Sequence, residues 1–381
     1  MRLGGTTRRP YFDSPDKRSS GPLKTPDGAD ANNQEPNDTQ QPTTASSRQS
    51  QRNSEHFPPS GRVSLVDLER SGSFHNWFRG LSAFTVLATF ALVILGGVVR
   101  VTESGLGCPD WPGCDGGIFP PLETKALIEY THRITASFVI GPLILFLFIA
   151  ALVRYRQEHW ILFPATIAFG LVIAQAALGG ATVLSELPGS TVMAHLAVGE
   201  TLVAVLVLLA VVAYRGPLSL RRPDWAVGKA RRLPILIVIA GVALFLLLLS
   251  GSYVTITEAF GACSEWPTCL SDNAFPGERL QVIHMFHRYV AGAVGLFVLY
   301  SLHLGFRGRT QPVEIRILSM VAVALFVAQV LAGAGVIWGD FGEEVRALHL
   351  AIATSVWIAV SALAAMTFSS PGARWSGGIN G

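Results

Sequence analysis

Charged residues are scarce in this sequence: they fill 14% of its 381 positions, and the formal net charge is only +3. The net charge by itself says little and its placement says more; no nucleic acid is expected as a partner. Cysteine is scarce as well. Four cysteines in two close pairs are too few for a disulfide scaffold and suit two local features instead. The first 75 residues lack any apolar run and are rich in Ser, Thr, Gln, Asn, Pro and Arg. Such a segment cannot bury enough apolar surface to offset its ordering entropy, so residues 1–75 are expected to be a disordered tail. A signal peptide is not expected either, because no apolar h-region precedes Phe78.

From Leu81 onward the character reverses. One apolar span follows another, at roughly 79–100, 126–151, 162–182, 190–213, 233–254, 280–303, 313–337 and 345–368. Each is about 20 residues or more, the length of a helix that crosses a bilayer core. The connections alternate in charge. Arg154 and Arg156 follow the second span, and Arg215, Arg221, Arg222, Lys229, Arg231 and Arg232 lie between the fourth and fifth. Arg307, Arg309 and Arg316 lie between the sixth and seventh. The other connections carry Glu103, Asp110, Asp115 and Glu123; Glu186; Glu258, Glu265, Asp272 and Glu278; and Asp340, Glu343 and Glu344. By the positive-inside rule both termini are cytoplasmic, and the acidic connections, with all four cysteines, are external. The expected product is an all-α protein of the cell (inner) membrane with eight transmembrane helices.

An internal repeat divides the chain. Gly96 to Cys114 reads GGVVRVTESGLGCPDWPGC, and Gly251 to Cys269 reads GSYVTITEAFGACSEWPTC. An offset of 155 carries Cys108 onto Cys263, Cys114 onto Cys269, Trp111-Pro112 onto Trp266-Pro267, and His132-Arg133 onto His287-Arg288. An offset of 154 carries Gln175 onto Gln329, Gly179 onto Gly333, and His195-Leu196-Ala197 onto His349-Leu350-Ala351. Two four-helix bundles follow, at 76–214 and 233–370, joined by a basic linker at 215–232 and followed by a tail at 371–381. An even number of spans per unit gives both bundles the same orientation, related by a pseudo-twofold axis along the membrane normal.

The histidines carry the chemistry. His132, His195, His287 and His349 each lie early in a span, at similar depth, on the second and fourth helices of the two bundles. An ionisable residue at that depth is a functional hypothesis by default. Imidazole suits Fe, Cu and Zn, and a pair at matched height on two helices can hold a haem from both faces. Metal sites without haem, and proton-relay histidines, are the alternatives. The halves differ beside the first histidine: Glu129-Tyr130-Thr131-His132 against His284-Met285-Phe286-His287. Glu129 shares a helix face with His132. It either complements the helix dipole or serves proton transfer beside a haem. His284 reads as a neighbour of the ligands, or as a replacement for His287. Arg133 and Arg288 either meet haem propionates or anchor at the interface. The pairs Cys108/Cys114 and Cys263/Cys269 enclose turn residues that suit local disulfides; one four-cysteine zinc site is the alternative.

These blocks resemble the haem A synthase family. The resemblance rests on GGVVRVTESGLGCPDWPGC, on the EYTHR block at Glu129 to Arg133, on GGATV followed by AHLAVGE around His195, and on the counterparts at His287 and His349. It covers residues ~80–368 and none of the tail. It implies two four-helix bundles, a haem b ligated by His287 and His349, and haem O received as substrate by His132 and His195, with Glu129 the essential acid. The implied reaction is two successive hydroxylations of one porphyrin methyl, with water as oxygen source, the gem-diol losing water to leave a formyl group. Implied partners are the farnesyltransferase that makes haem O and a terminal oxidase under assembly, and homo-oligomers are compatible with it. A non-catalytic di-haem membrane cytochrome is the rival from another class; it leaves unexplained why Glu129 has no acidic counterpart at His284. A haem transporter or chaperone is a third reading.

Overall fold

In hydrocarbon an apolar run has one local way to satisfy its own backbone, the α-helix. The computed structural model, which describes residues 65–219, 221, 223–270 and 277–369, turns every one of the eight runs into helix. These are α1 (Leu65–Val101), α2 (Thr124–Arg154), α3 (His159–Leu184), α4 (Gly189–Arg215), α5 (Leu233–Ile256), α6 (Arg279–Arg307), α7 (Val313–Trp338) and α8 (Glu343–Phe368). All eight are long and apolar enough to cross a membrane. There is no strand among the described residues, and the protein is an all-α membrane protein. Most helices overhang the apolar run by a few residues at one or both ends, since a hydropathy run marks only the part that meets hydrocarbon.

One boundary moves. The tail was expected to lack structure up to residue 75, yet α1 begins at Leu65. Adding turns to a helix that already exists fixes one residue per hydrogen bond and avoids a new nucleus. The rest of the expected tail (residues 1–64), Arg222, Asp272 and the segment 371–381 lie outside the described residues.

A second departure lies inside α2. After Ile134 the chain makes a π-helical segment, Thr135–Ile140, before α-helix resumes at Gly141. The N–H of Gly141 reaches back to the carbonyl of Ala136, and Pro142 follows. Proline has no N–H to give and its ring clashes with the carbonyl four residues earlier, so a widened turn relieves both. The matching helix α6 runs unbroken from Arg279 to Arg307.

The helix contacts form two rings of four. In the first, α1 packs on α2, α2 on α3, α3 on α4, and α4 on α1; in the second, α5 to α8 repeat the pattern. Each ring has its own core: Phe78, Ile144, Leu206 and Leu209 in one, Ile237, Leu302, Ile315 and Leu363 in the other. The rings join where α4 meets α8, flanked by α1 on α8 and α4 on α5. Trp357 packs against both cores and donates its indole N–H to the Glu200 carbonyl at 2.9 Å. Near the cysteine-loop end, Arg100 donates to the Thr255 carbonyl at 3.3 Å and Arg346 to the Val101 carbonyl at 3.0 Å. The seam is thus held by apolar packing with hydrogen bonds to Glu200 in the middle, by these arginine-to-backbone bonds at one end, and by Arg215 donating to the Ser369 hydroxyl at 2.8 Å at the other.

Candidate functional site

Each of the four histidines lies against a glycine on the preceding helix. A β-carbon placed on Gly96 (α1) would come 3.0 Å from His132 Cε1 (α2), and one on Gly179 (α3) 3.4 Å from His195 Cε1 (α4). The second ring repeats this, with Gly251 (α5) and His287 (α6) at 3.1 Å, and Gly333 (α7) and His349 (α8) at 3.0 Å. Here the want of a side chain has a use, since it lets a flat ring lie edge-on against the neighbouring backbone. His132 stands within electrostatic reach of His195, and His287 of His349. The members of each suggested pair lie on two helices of one ring, His132 and His195 in the first and His287 and His349 in the second. The Nδ1 atoms of His132, His195 and His349 are buried without a hydrogen-bond partner. Paired imidazoles with spare nitrogen atoms fit a group that bonds nitrogen, such as a haem iron.

A loop lies against α2 and α3 beside the first pair. Cys108 and Cys114 form a disulfide with Cα atoms 4.6 Å apart, and Cys263 and Cys269 form another at 4.4 Å. All four cysteines are consumed in these bonds, which rules out the four-cysteine zinc site. Glu129 and Arg133, one turn apart on α2, hold the first loop from beneath. One Glu129 oxygen accepts the Cys108 N–H at 2.8 Å and the other pairs with Arg133. Arg133 also donates to the carbonyls of Cys108 (2.7 Å), Asp110 (2.6 Å) and Gly113 (2.7 Å). Glu129 is thereby almost wholly buried, at 3% exposure. From the loop Trp111 extends across to α3, where its indole lies on Gly180; a β-carbon there would sit 3.0 Å from the ring. Gly180 directly follows Gly179, the partner of His195, so the tryptophan bridges the mouth of the ring between α2 and α3.

These features have a known home. The model of the cytochrome oxidase assembly protein family, COX15-CtaA, matches residues 79–361. The chain belongs to that family. Curated relatives include heme A synthase of Alkalihalophilus pseudofirmus, 30% identical over 75% of this chain and 96% of its own length. Others are heme A synthase of an Exiguobacterium species, 27% identical over 74% of this chain and 90% of its own, and that of Bacillus licheniformis, 27% identical over 68% and 86%.

The second half of this family member uses the same scaffold with different groups. His284 stands in for Glu129 and is buried; its Nε2 lies 3.3 Å from Arg288, which donates to the carbonyls of Glu265 (2.8 Å), Pro267 (3.2 Å) and Thr268 (2.7 Å). Trp266 meets Trp338 of α7 edge-on, with ring centroids 5.8 Å apart. His287 and His349 also gain neighbours. Ser250 Oγ lies 2.8 Å from His287 Nδ1, and the Gln329 amide nitrogen lies 3.3 Å from His349 Nε2. The glycine partners were only half visible beforehand: Gly96, Gly179, Gly251 and Gly333 recur at the repeat offsets, but nothing in a sequence says which histidine each one meets. Glu200 was missed. It is fully buried on α4 and accepts the Thr354 hydroxyl at 2.7 Å. The 154-residue offset carries Glu200 onto Thr354, so this bond links repeat-equivalent positions of the two halves across the seam, and that equivalence was the signal available.

Proposed function

We propose that this chain is a haem A synthase, with His287 and His349 holding a resident haem b and His132 and His195 receiving haem O. The observation that carries the reading is the fourfold arrangement of an imidazole against a glycine, twice in each ring, with a carboxylate beside only one of the pairs. Two imidazoles with no third protein donor among the described residues suit an iron that brings its equatorial ligands with it in a porphyrin. The name of the relatives, heme A synthase, agrees with this arrangement. The coarse role is haem A formation. The finer one is oxidation of the haem O methyl to a formyl group by two successive hydroxylations, which with water as oxygen source releases four protons and four electrons. A bound haem b supplies one-electron exchange.

The chain's own groups do the rest. His132 and His195 orient the substrate, and the glycines give the rings room. Glu129, on the His132 face of α2 and ion-paired with Arg133, is the carboxylate placed to accept protons. Trp111 and the Cys108–Cys114 loop exclude water from the external side. Because carbonyls of the two loops occupy Arg133 and Arg288, we assign these arginines to anchoring the loops rather than to propionates. By the positive-inside rule we assign both termini to the cytoplasm and the disulfides to the outside, where such bonds persist. A farnesyltransferase making haem O would supply the substrate, and a terminal oxidase under assembly would take the product.

The test is production of the chain in cells that make haem O and lack any other haem A synthase. Chromatography of extracted haems should show haem A, and the purified protein should carry haem b by its pyridine haemochrome spectrum. Bound haem without conversion of haem O would replace this reading with the di-haem cytochrome.

A further inference from the structure

The two histidine pairs are not held alike, and one of the differences lies on α5. On α5, Ser250 precedes the glycine that faces His287. Its hydroxyl oxygen is 2.7 Å from the Leu247 carbonyl and 2.8 Å from His287 Nδ1. A serine has one proton to donate. Were it given to the imidazole, two oxygens would face each other at 2.7 Å with no hydrogen between them. The proton therefore goes to Leu247, and the hydroxyl oxygen accepts from His287, which must carry its own proton on Nδ1. The lone pair is then on Nε2.

On α1 the matching residue is Leu95, by the 155-residue offset that also carries Gly96 onto Gly251. Leucine has nothing to accept with. The Leu92 carbonyl, which the same offset carries onto Leu247, stands as a backbone acceptor beside the His132 ring, short of the geometry of a full hydrogen bond to Nδ1, so His132 has a weak backbone contact where His287 has a hydroxyl. His195, the second member of the first pair, is likewise unpartnered at Nδ1.

We propose that Ser250 is a positioning residue: it sets the Nδ1–H tautomer of His287 and so presents Nε2 to a haem iron, a restraint that Leu95 denies to His132. The proposal rests on the haem reading above and deepens it. A ligand whose far nitrogen donates a hydrogen bond is fixed in orientation and made more basic. The Leu247–Ser250–His287 chain polarises along its length and adds to that basicity. A more basic axial ligand favours ferric iron and retention. The second pair is thereby built to keep its haem. The first, in which neither imidazole has a hydroxyl such as His287 has, is built to take up one haem and release another, as a site whose substrate and product are both haems requires.

The experiment uses full-length protein in a His195→Ala background, so that only the second pair can ligate an iron from both faces. Ser250→Ala should weaken haem retention about 10-fold or more, the usual range for loss of such a partner being 10–100-fold. It should also raise the midpoint potential and change the low-spin ferric resonance spectrum. Ser250→Thr, which keeps the hydroxyl, should restore all three. If Ser250→Ala loses haem altogether, the threonine variant decides: recovery sustains the proposal, and no recovery overturns it. Unchanged retention and potential in Ser250→Ala, with haem present in the parent, would overturn the role of Ser250 alone. A parent without haem would overturn the haem reading along with it.

Discussion

Alanine placed at each of the four glycines forms a graded series in which geometry alone sets the order. At Gly96, Gly251 and Gly333 the new methyl would lie 3.0–3.1 Å from an imidazole carbon, and at Gly179 it would lie 3.4 Å away. Ordinary carbon contacts begin at about 3.5 Å, so at the first three sites ring or helix must retreat by roughly 0.4–0.5 Å. Neither moves freely: the imidazole is a flat ring on a short tether, and each helix is packed on both sides. Such overpacking costs about 1–3 kcal/mol. Taken from haem binding, that is roughly a 5- to 150-fold weaker complex, since about 1.4 kcal/mol is tenfold. At Gly179 the contact is an ordinary one, and Gly179→Ala should bind haem as the parent does. The assay is spectrophotometric haem titration of the purified apoprotein, with the other pair removed by His→Ala so that one site is read at a time. If Gly333→Ala and Gly179→Ala retained haem equally well, the argument from close approach would fail.

Three further outcomes follow from individual contacts. Glu129→Ala removes the acceptor of the Cys108 N–H and the partner of Arg133, and should abolish haem O conversion while leaving the spectrum of the His287/His349 haem intact; normal turnover would take Glu129 out of the chemistry. Trp111 buries a little over half of its surface, about 100 Å² or more, and contributes roughly 2 kcal/mol of burial to the loop. Trp111→Ala should therefore speed haem exchange at the first pair about 10-fold or more, measured by transfer to apomyoglobin, with the second pair unaffected. Thr354→Val strands a buried Glu200 oxygen and should cost about 1–3 kcal/mol, whereas Glu200→Leu combined with Thr354→Val should recover most of it. Thermal denaturation in detergent compares the two, and additive losses would deny the coupling across the seam.

How much could be read in advance depended on the range of the interaction. The eight helices were legible because span length and hydropathy are local properties and the bilayer admits few alternatives. His132, His195, His287 and His349 were legible as pairs because the repeat printed the same solution twice. Arg133 could not be apportioned between propionate and interface, since besides Glu129 its partners are backbone carbonyls 20 to 25 residues away along the chain, brought near only by the loop. The π-helical turn after His132 was not seen, although Pro142 was its cause. Ser250 gave no signal of its own, since a serine in a membrane helix ordinarily bonds its own backbone.

Composition and periodicity by themselves determined that the protein is helical, membrane-embedded, doubled, and furnished with matched histidines, because each of those facts depends on residues close in the chain or on comparing one half with the other. Only the tertiary structure decided which glycine meets which ring, that Glu129 and Arg133 clamp the disulfide loop, and that Ser250 has a histidine to hold. Those contacts depend on how each helix is rotated about its axis against its neighbour. That rotation is set by packing over the whole bundle rather than by any one segment.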